Sequence, residues 1–210
     1  QRQMCIRDRD KADFVGATIR EDLKHGNKTR GYQLTGFNPN KKVLLVMGGS
    51  MGSLKINEAI RRHLDTLLET YQIIHLTGKG LVAPHVQTEG YVQFEFVKDD
   101  LTDLLAITDT VVSRAGSNAI YEFLTLRLPM LLIPLGLDQS RGDQIDNAQY
   151  FEKQGYATML DESELTSETL MAALNEIEKN RAQYINNMEN FTESYTKDDL
   201  LEKIIHDALG

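Results

Sequence analysis

At 210 residues, with 41% hydrophobic and 26% charged side chains, the chain has the length and composition of a soluble globular domain with an ample core. A formal net charge of -8 argues against a nucleic-acid groove as the main site, because phosphate backbones demand dense Lys and Arg. One cysteine, Cys5, excludes an internal disulfide and fits a reducing compartment, and no apolar run approaches the ~20 residues that span a bilayer.

Charge is unevenly spread. Residues 1–42 carry ten Lys/Arg against five Asp/Glu, a net of +5, which leaves -13 on the remainder. Such a basic leading segment suits phosphates or an anionic lipid surface, or is simply a solvated face. Residues 1–10 show no periodicity and read as a foreign leader; no signal-peptide pattern is visible. Asp13 to Arg20 reads as a short extended piece ending in a turn, and residues 21–41, with Gly26, Gly31, Gly36 and Pro39, as a polar connector.

Lys42 to Met47 is a continuous apolar run of strand length, the mark of a strand covered on both faces. It breaks at Gly48-Gly49-Ser50-Met51-Gly52-Ser53, after which Leu54, Ile56, Ile60, Leu64, Leu67 and Leu68 recur at helical spacing. Tyr71–Leu76 predicts a second strand, Tyr91–Val97 a third, and Asp100–Ile107 a short helix with Leu101, Leu104 and Leu105 inward. Thr110–Val112 predicts a strand and Ser117–Arg127 a helix. Met130–Ile133 predicts a strand, and the loop Leu135–Gly142 leads into a helix reaching Lys153. Gly155–Leu160 closes a last strand; beyond it Leu170, Leu174 and Ile177, then Leu200, Leu201, Ile204 and Ile205, follow helical spacing, with residues 196–210 as a surface helix. About six strands alternating with helices predict an α/β fold with a doubly wound parallel sheet, Rossmann-like. Its strand-to-helix turns then gather at one sheet edge, where a ligand is expected.

Three of those turns carry chemistry. At Gly48–Gly52, glycines let backbone approach a phosphate and Ser50 adds a hydroxyl, although a tight turn without ligand gives the same pattern. The stretch lacks the Gly-Lys-Ser/Thr of a P-loop and the Gly-x-Gly-x-x-Gly spacing of dinucleotide binders; Thr77-Gly78-Lys79 also stands where their ribose-binding acid belongs. At Ser113-Arg114-Ala115-Gly116-Ser117-Asn118, a helix start favours an anion through free N–H donors and its positive dipole end; capping by Ser117 or Asn118 is the plainer alternative. Glu122, one turn past Asn118, suits ribose hydroxyls or is solvated. In the third turn Asp143, Gln144 and Asn147 share one face and offer amide and carboxylate groups to sugar hydroxyls. Phe96 either stacks on a base, with the Val97 backbone pairing the base edge, or packs in the core. Arg20 can fork onto a diphosphate or be a surface residue. His63, His75, His85 and His206 read as structural or exposed, and the absence of a Cys/His cluster or His-Glu-x-x-His predicts no protein-held metal.

Taken in order, Gly48-Gly49-Ser50-Met51-Gly52, Glu95-Phe96-Val97, Ser113 to Ser117 with Glu122, and Asp143-Gln144 with Asn147-Ala148 resemble the donor half of the MurG family. These are GT-B N-acetylglucosaminyltransferases of bacterial peptidoglycan synthesis. The resemblance runs from about Phe14 to the C-terminus, and the spellings at Thr18–Arg20 and Ser140–Gln144 resemble those of Gram-positive cocci. It implies inverting transfer of GlcNAc from UDP-GlcNAc to lipid I, giving lipid II and UDP, with no cofactor beyond the donor. It implies that Ser50, Gly116, Ser117 and Asn118 hold the diphosphate with Arg20 nearby. Glu122 would then hold ribose, Phe96 and Val97 uracil, and Asp143 and Gln144 the sugar, Asp143 standing where many members have glutamine. It implies residues 11–41 as the end of a preceding domain plus linker and 42–195 as the donor domain. The acceptor pocket and catalytic base would lie in an N-terminal domain, so residues 1–210 are expected to turn nothing over alone. A peripheral place at the cytoplasmic face of the plasma membrane follows for the whole enzyme. Open alternatives are a UDP-GlcNAc 2-epimerase and a nucleotide-sugar binding subunit working with a separate acceptor-binding chain; an NAD-type oxidoreductase is disfavoured by the glycine spacing.

Overall fold

The computed structural model describes residues 17–49, 51–137, 140, 142–189, 191 and 194–195. The suspected leader 1–10, Asp13–Gly16, Ser50, the loop residues Asp138, Gln139 and Arg141, His206 and the expected helix 196–210 lie outside the described residues.

The core of the molecule is a six-stranded, all-parallel sheet. In chain order its strands are β2 (Lys42–Met47), β3 (Tyr71–Leu76), β4 (Tyr91–Phe94), β5 (Thr110–Ser113), β6 (Met130–Leu132) and β7 (Ala157–Met159). They lie side by side as β4-β3-β2-β5-β6-β7. Adjacent residues of the apolar runs serve opposite faces. On β2, Val43 and Leu45 join one buried cluster, whereas Leu44 and Val46 join the other. On β6, Met130 and Leu132 face one side, Leu131 and Ile133 the other. A strand covered on both faces has no polar side to show, which is why these runs read as continuous rather than alternating.

The first face is covered by α4 (Leu101–Ala106), α5 (Ser117–Thr125) and α6 (Asp143–Lys153), through Leu104, Leu105, Ile120, Phe123, Leu124, Ala148 and Phe151. The second is covered by α2 (Leu54–Arg62), α3 (Leu64–Thr70) and α7 (Ser167–Lys179), through Ile56, Ile60, Leu64, Leu67, Leu170, Leu174 and Ile177. The single helix expected over 54–68 is two, because the chain turns at His63 between them. Leu54, expected inward, is 60% exposed at the first turn of α2. A last described helix, α8 (Arg181–Glu189), follows α7.

Residues 21–41 are not a plain connector. A 3-10 turn, Glu21–His25, leads into α1 (Lys28–Thr35), started by Asn27, whose side chain accepts from Arg30 N, and stopped by Gly36 at φ 69°. Ile19, Leu23 and Phe37 are buried in the first core cluster. Helix α1 hides from periodicity because Gly31 is its sole buried residue, and what docks it is backbone proximity. A Cβ on Gly31 would stand 2.4 Å from the Asp103 carbonyl oxygen, so only glycine lets α1 lie this close to α4. Arg30 seals the contact by pairing with Asp100 and Asp103. A two-residue strand β1 (Ala17–Thr18) pairs in parallel with β8 (Ser194–Tyr195), and this brings Arg20 alongside α5.

Candidate functional site

Register levels the strands at one edge. Met47 stands opposite Leu76 and Ser113, Leu76 opposite Phe94, Ser113 opposite Leu132, and Leu132 opposite Met159. The chain therefore leaves these strands from a common rim, after Met47, Leu76, Phe94, Ser113 and Leu132. Strand order reverses between β2 and β5, the switch point outside which a sheet of this kind is expected to bind a ligand in a crevice.

Two loops on this rim touch through backbone. Gly52 has φ +79°, and a Cβ on it would fall 2.1 Å from the Thr77 carbonyl oxygen; one on Gly78, φ +95°, would fall 2.5 Å from that of Met51. The protein itself thus requires glycine at Gly52. Ser53 starts α2 by accepting from Ile56 N at 3.3 Å.

Across the switch point, α5 starts at Gly116 (φ −75°, ψ 129°), so neither Ser117 nor Asn118 is its cap. Glycine has no side chain to bond the first-turn amides, and Ser117 is half-buried while Asn118 is exposed. A Cβ on Gly116 would meet nothing within 4 Å, and its φ suits any residue. Nothing in the protein demands glycine there. Open amides at a helix start attract an anion.

One turn along α5, Glu122 is not solvated. Arg20 donates to it from Nε at 2.8 Å and from a terminal nitrogen at 3.2 Å, a fork on both carboxylate oxygens. The two residues assigned separately to ribose and diphosphate therefore hold each other.

Helix α6 also starts on glycine, Gly142 at φ +93°. Asp143 is exposed beside it. Gln144 Oε1 accepts from Leu135 N at 3.1 Å, which leaves its amide nitrogen as the group to donate elsewhere. Asn147 does not share their role: its amide donates to the Ala115 carbonyl at 3.0 Å and ties α6 to the turn before α5. Phe96 is 68% exposed, which removes the core reading; Val97 behind it is half-buried against the first cluster.

Two groups that the sequence did not disclose hold this rim together. Arg114, 6% exposed, donates to the carbonyls of Ile133 (3.1 Å) and Pro134 (3.2 Å), to Ser53 Oγ (2.7 Å) and to Glu162. One guanidinium thus joins the loops after β2, β5 and β6. Glu162 also takes Lys55 at 3.0 Å. Burial pushes the Glu162 carboxyl up, but the bonds from Arg114 and Lys55 outweigh it and hold it below its ordinary value. The available signal was an arginine directly after a buried strand; its carboxylate partner is 48 positions away and invisible.

His75 is fully buried on β3, with Nδ1 2.8 Å from the Tyr91 hydroxyl and Nε2 2.9 Å from Asn57 Oδ1. Burial, then the nearby Arg61 charge, lowers its pKa to about 3, so the ring is neutral. His63 lies beside Ser167 Oγ and His85 is exposed. Among the described residues no three His, Cys, Asp or Glu gather where a metal could be held, and no helix is long and apolar enough to cross a membrane.

The glycosyltransferase family 28 C-terminal domain model matches residues 43–204. The "UDP-N-acetylglucosamine--N-acetylmuramyl-(pentapeptide) pyrophosphoryl-undecaprenol N-acetylglucosamine transferase" of Staphylococcus epidermidis is 71% identical over 202 residues, 96% of this chain and 57% of that protein. Its namesake from Staphylococcus aureus is 68% identical over the same shares. The chain spans little more than half the length of these curated relatives. Acinetobacter baumannii MurG superimposes with a TM-score of 0.66 at 21% identity, over 84% of this chain and 53% of that one, which is a likeness of fold. The sheet order and the helices on both faces are those of the Rossmann-like C-terminal half of a GT-B glycosyltransferase. The chain belongs to glycosyltransferase family 28, through that family's C-terminal domain.

Proposed function

We propose that this chain is the donor-binding half of an inverting transferase that moves GlcNAc from UDP-GlcNAc to lipid I, forming lipid II in peptidoglycan synthesis. The observation that carries the reading is Gly116. It opens a helix with uncapped amides toward empty space, on the rim of a chain 71% identical to a transferase named for UDP-N-acetylglucosamine.

In this reading the amides after Gly116, at Ser117 and Asn118, take the diphosphate, and Ser50 joins them from the facing loop. As the acceptor hydroxyl attacks the anomeric carbon, the bond to UDP breaks and charge gathers on the departing phosphate. Fixed amide donors and a positive helix end are strongest at that moment. Phe96 offers an exposed ring for uracil and the Val97 backbone its edge contacts. The amide nitrogen of Gln144, with Asp143 beside it, reads sugar hydroxyls.

Arg20 and Glu122 then exchange partners. Donor entry draws Arg20 onto the diphosphate and frees both Glu122 oxygens for the ribose hydroxyls, so one event supplies a cation to one group and an acceptor to the other. No resident cofactor is called for, since the donor carries the leaving group. Lipid I places the whole enzyme at the cytoplasmic face of the plasma membrane, held peripherally.

Calorimetry on residues 1–210 tests the donor site directly. UDP and UDP-GlcNAc should bind in preference to ADP, and Glu122→Ala should abolish the preference for UDP over uracil-bearing compounds that lack ribose. Equal affinity for UDP and ADP, or none for either, refutes the reading.

A further inference from the structure

We propose that Tyr91, His75 and Asn57 form a buried positioning relay that sets the Gly48–Gly52 loop for the diphosphate. The inference rests on the donor-site reading above and adds to it residues that touch no substrate.

The relay runs inward from the second face of the sheet and ends at the rim. Its polarity follows from its last bond. Asn57 Nδ2 donates to the Thr77 carbonyl at 2.9 Å, so Asn57 Oδ1 must face His75 Nε2, 2.9 Å away. The proton therefore sits on Nε2, and Nδ1 accepts from the Tyr91 hydroxyl at 2.8 Å. Every polar atom of His75 is used, and both His75 and Asn57 are 0% exposed. Three polar side chains in a core are costly unless all are satisfied, and here they are.

What the relay grips explains its use. The Thr77 carbonyl held by Asn57 is the atom against which Gly52 rests, at the distance that excludes any Cβ. From the other side the Thr77 N–H donates to the Phe94 carbonyl at 2.9 Å and the Gly78 N–H to that of Glu95 at 3.1 Å. Asn57 thus reaches from α2 across to the 77–78 turn and closes a bracket around the glycine loop. An apolar residue at position 57 would take from the Thr77 carbonyl its side-chain donor and from the His75 Nε2–H its acceptor. The relay sets the phosphate end of the donor site and leaves the Phe96 and Glu122 end alone.

That asymmetry supplies the test. Asn57→Leu and Tyr91→Phe are titrated with UDP and, separately, with uridine, alongside the unsubstituted protein. The UDP dissociation constant should rise about three- to tenfold, one hydrogen bond's net contribution, while uridine binding stays unchanged. In nitrogen-detected spectra of the histidine ring, the unsubstituted protein should show the Nε2–H tautomer, and Tyr91→Phe should lose its fixed Nδ1 acceptor signal. Tyr91→Phe keeps the ring and removes one hydroxyl, so it serves if Asn57→Leu does not fold. Unchanged UDP affinity in a folded variant overturns the relay, as does an equal loss for UDP and uridine or an Nδ1–H tautomer. If the unsubstituted protein binds neither compound, it is the donor-site reading that fails.

Discussion

Replacing Gly116 by alanine separates a ligand's demand from a protein's. The added methyl meets no protein atom within 4 Å, and the backbone at φ −75° and ψ 129° accepts any residue. Alanine is a poorer helix cap than glycine, a cost of about 0.5–1 kcal/mol. Restricting the unfolded chain returns about 0.4–1 kcal/mol. The two nearly cancel, so the melting temperature of a domain this size should move by no more than about 2 °C. Binding has no such offset. A phosphate oxygen hydrogen-bonded to the first-turn amides comes within about 2.8 Å of nitrogen, which leaves no room for a methyl on the preceding Cα. Losing one charged hydrogen bond costs about 1.5–3 kcal/mol, so the UDP dissociation constant should rise about ten- to a hundredfold. Titration calorimetry and a thermal melt on the same sample read both quantities. A variant that melts normally and binds UDP as before places the diphosphate elsewhere and refutes the reasoning.

Phe96→Ala should leave stability within about 0.5 kcal/mol, since the ring is 68% exposed. The same change should weaken uridine by about 1–3 kcal/mol if a base stacks there, as a titration will show. Glu122→Ala should cost less than about 1 kcal/mol of stability, because its ion pair with Arg20 is partly exposed, yet weaken UDP by about 1–3 kcal/mol; an unchanged dissociation constant removes it from the site. Arg114→Met takes from Glu162 its buried partner and leaves it the exposed Lys55, so it should cost up to about 3–5 kcal/mol in urea unfolding, the penalty for breaking a buried pair. Acid should act in two windows. His75 binds no proton when folded until about pH 3, whereas the unfolded chain takes one up below its ordinary 6.5. Stability should therefore fall as pH drops below 6.5, by up to about 1.4 kcal/mol per unit. Glu162, held below its ordinary 4.5, contributes stability above that value and loses it as pH falls further, so Glu162→Gln should flatten only the lower window of a urea-midpoint profile.

Strands and most helices were legible because their cause is local. Lys42–Met47 and Tyr71–Leu76 are mostly apolar because both faces are covered, and each was read with its observed ends. Helix α1 was missed because its docking depends on Gly31, whose lack of a side chain leaves no hydrophobic period to detect. Gly116 and Glu122 were singled out as candidates from the turn and the spacing that follows it, but the Arg20–Glu122 fork joins residues 102 apart and only folding reveals it. Asn147 shows the converse. Its position on α6 suggested a sugar contact, yet the chemistry that suits an amide to a hydroxyl suits it equally to the Ala115 carbonyl. Residue type and face narrow the partners of a side chain; they do not choose among them.

A rim built from loops has to be rigid without burying much apolar area, and the polar groups here are placed for that. From the loop after β5, Arg114 bonds two carbonyls of the loop after β6 and a hydroxyl of the loop after β2, while Asn57 bonds the Thr77 carbonyl against which Gly52 rests. Besides the Glu162 carboxylate and His75, these two side chains bond backbone carbonyls and the Ser53 hydroxyl, while the N–H groups at the start of α5, which begins on Gly116, have no side-chain cap. Open donors at a helix start are what the proposed diphosphate site requires. Arg20 instead donates its guanidinium bonds to the Glu122 carboxylate, the pair that the proposed donor entry would part. In the proposed donor site the rigid groups would set the shape, and the Arg20–Glu122 exchange would be the part through which donor binding is felt by the residues preceding α1.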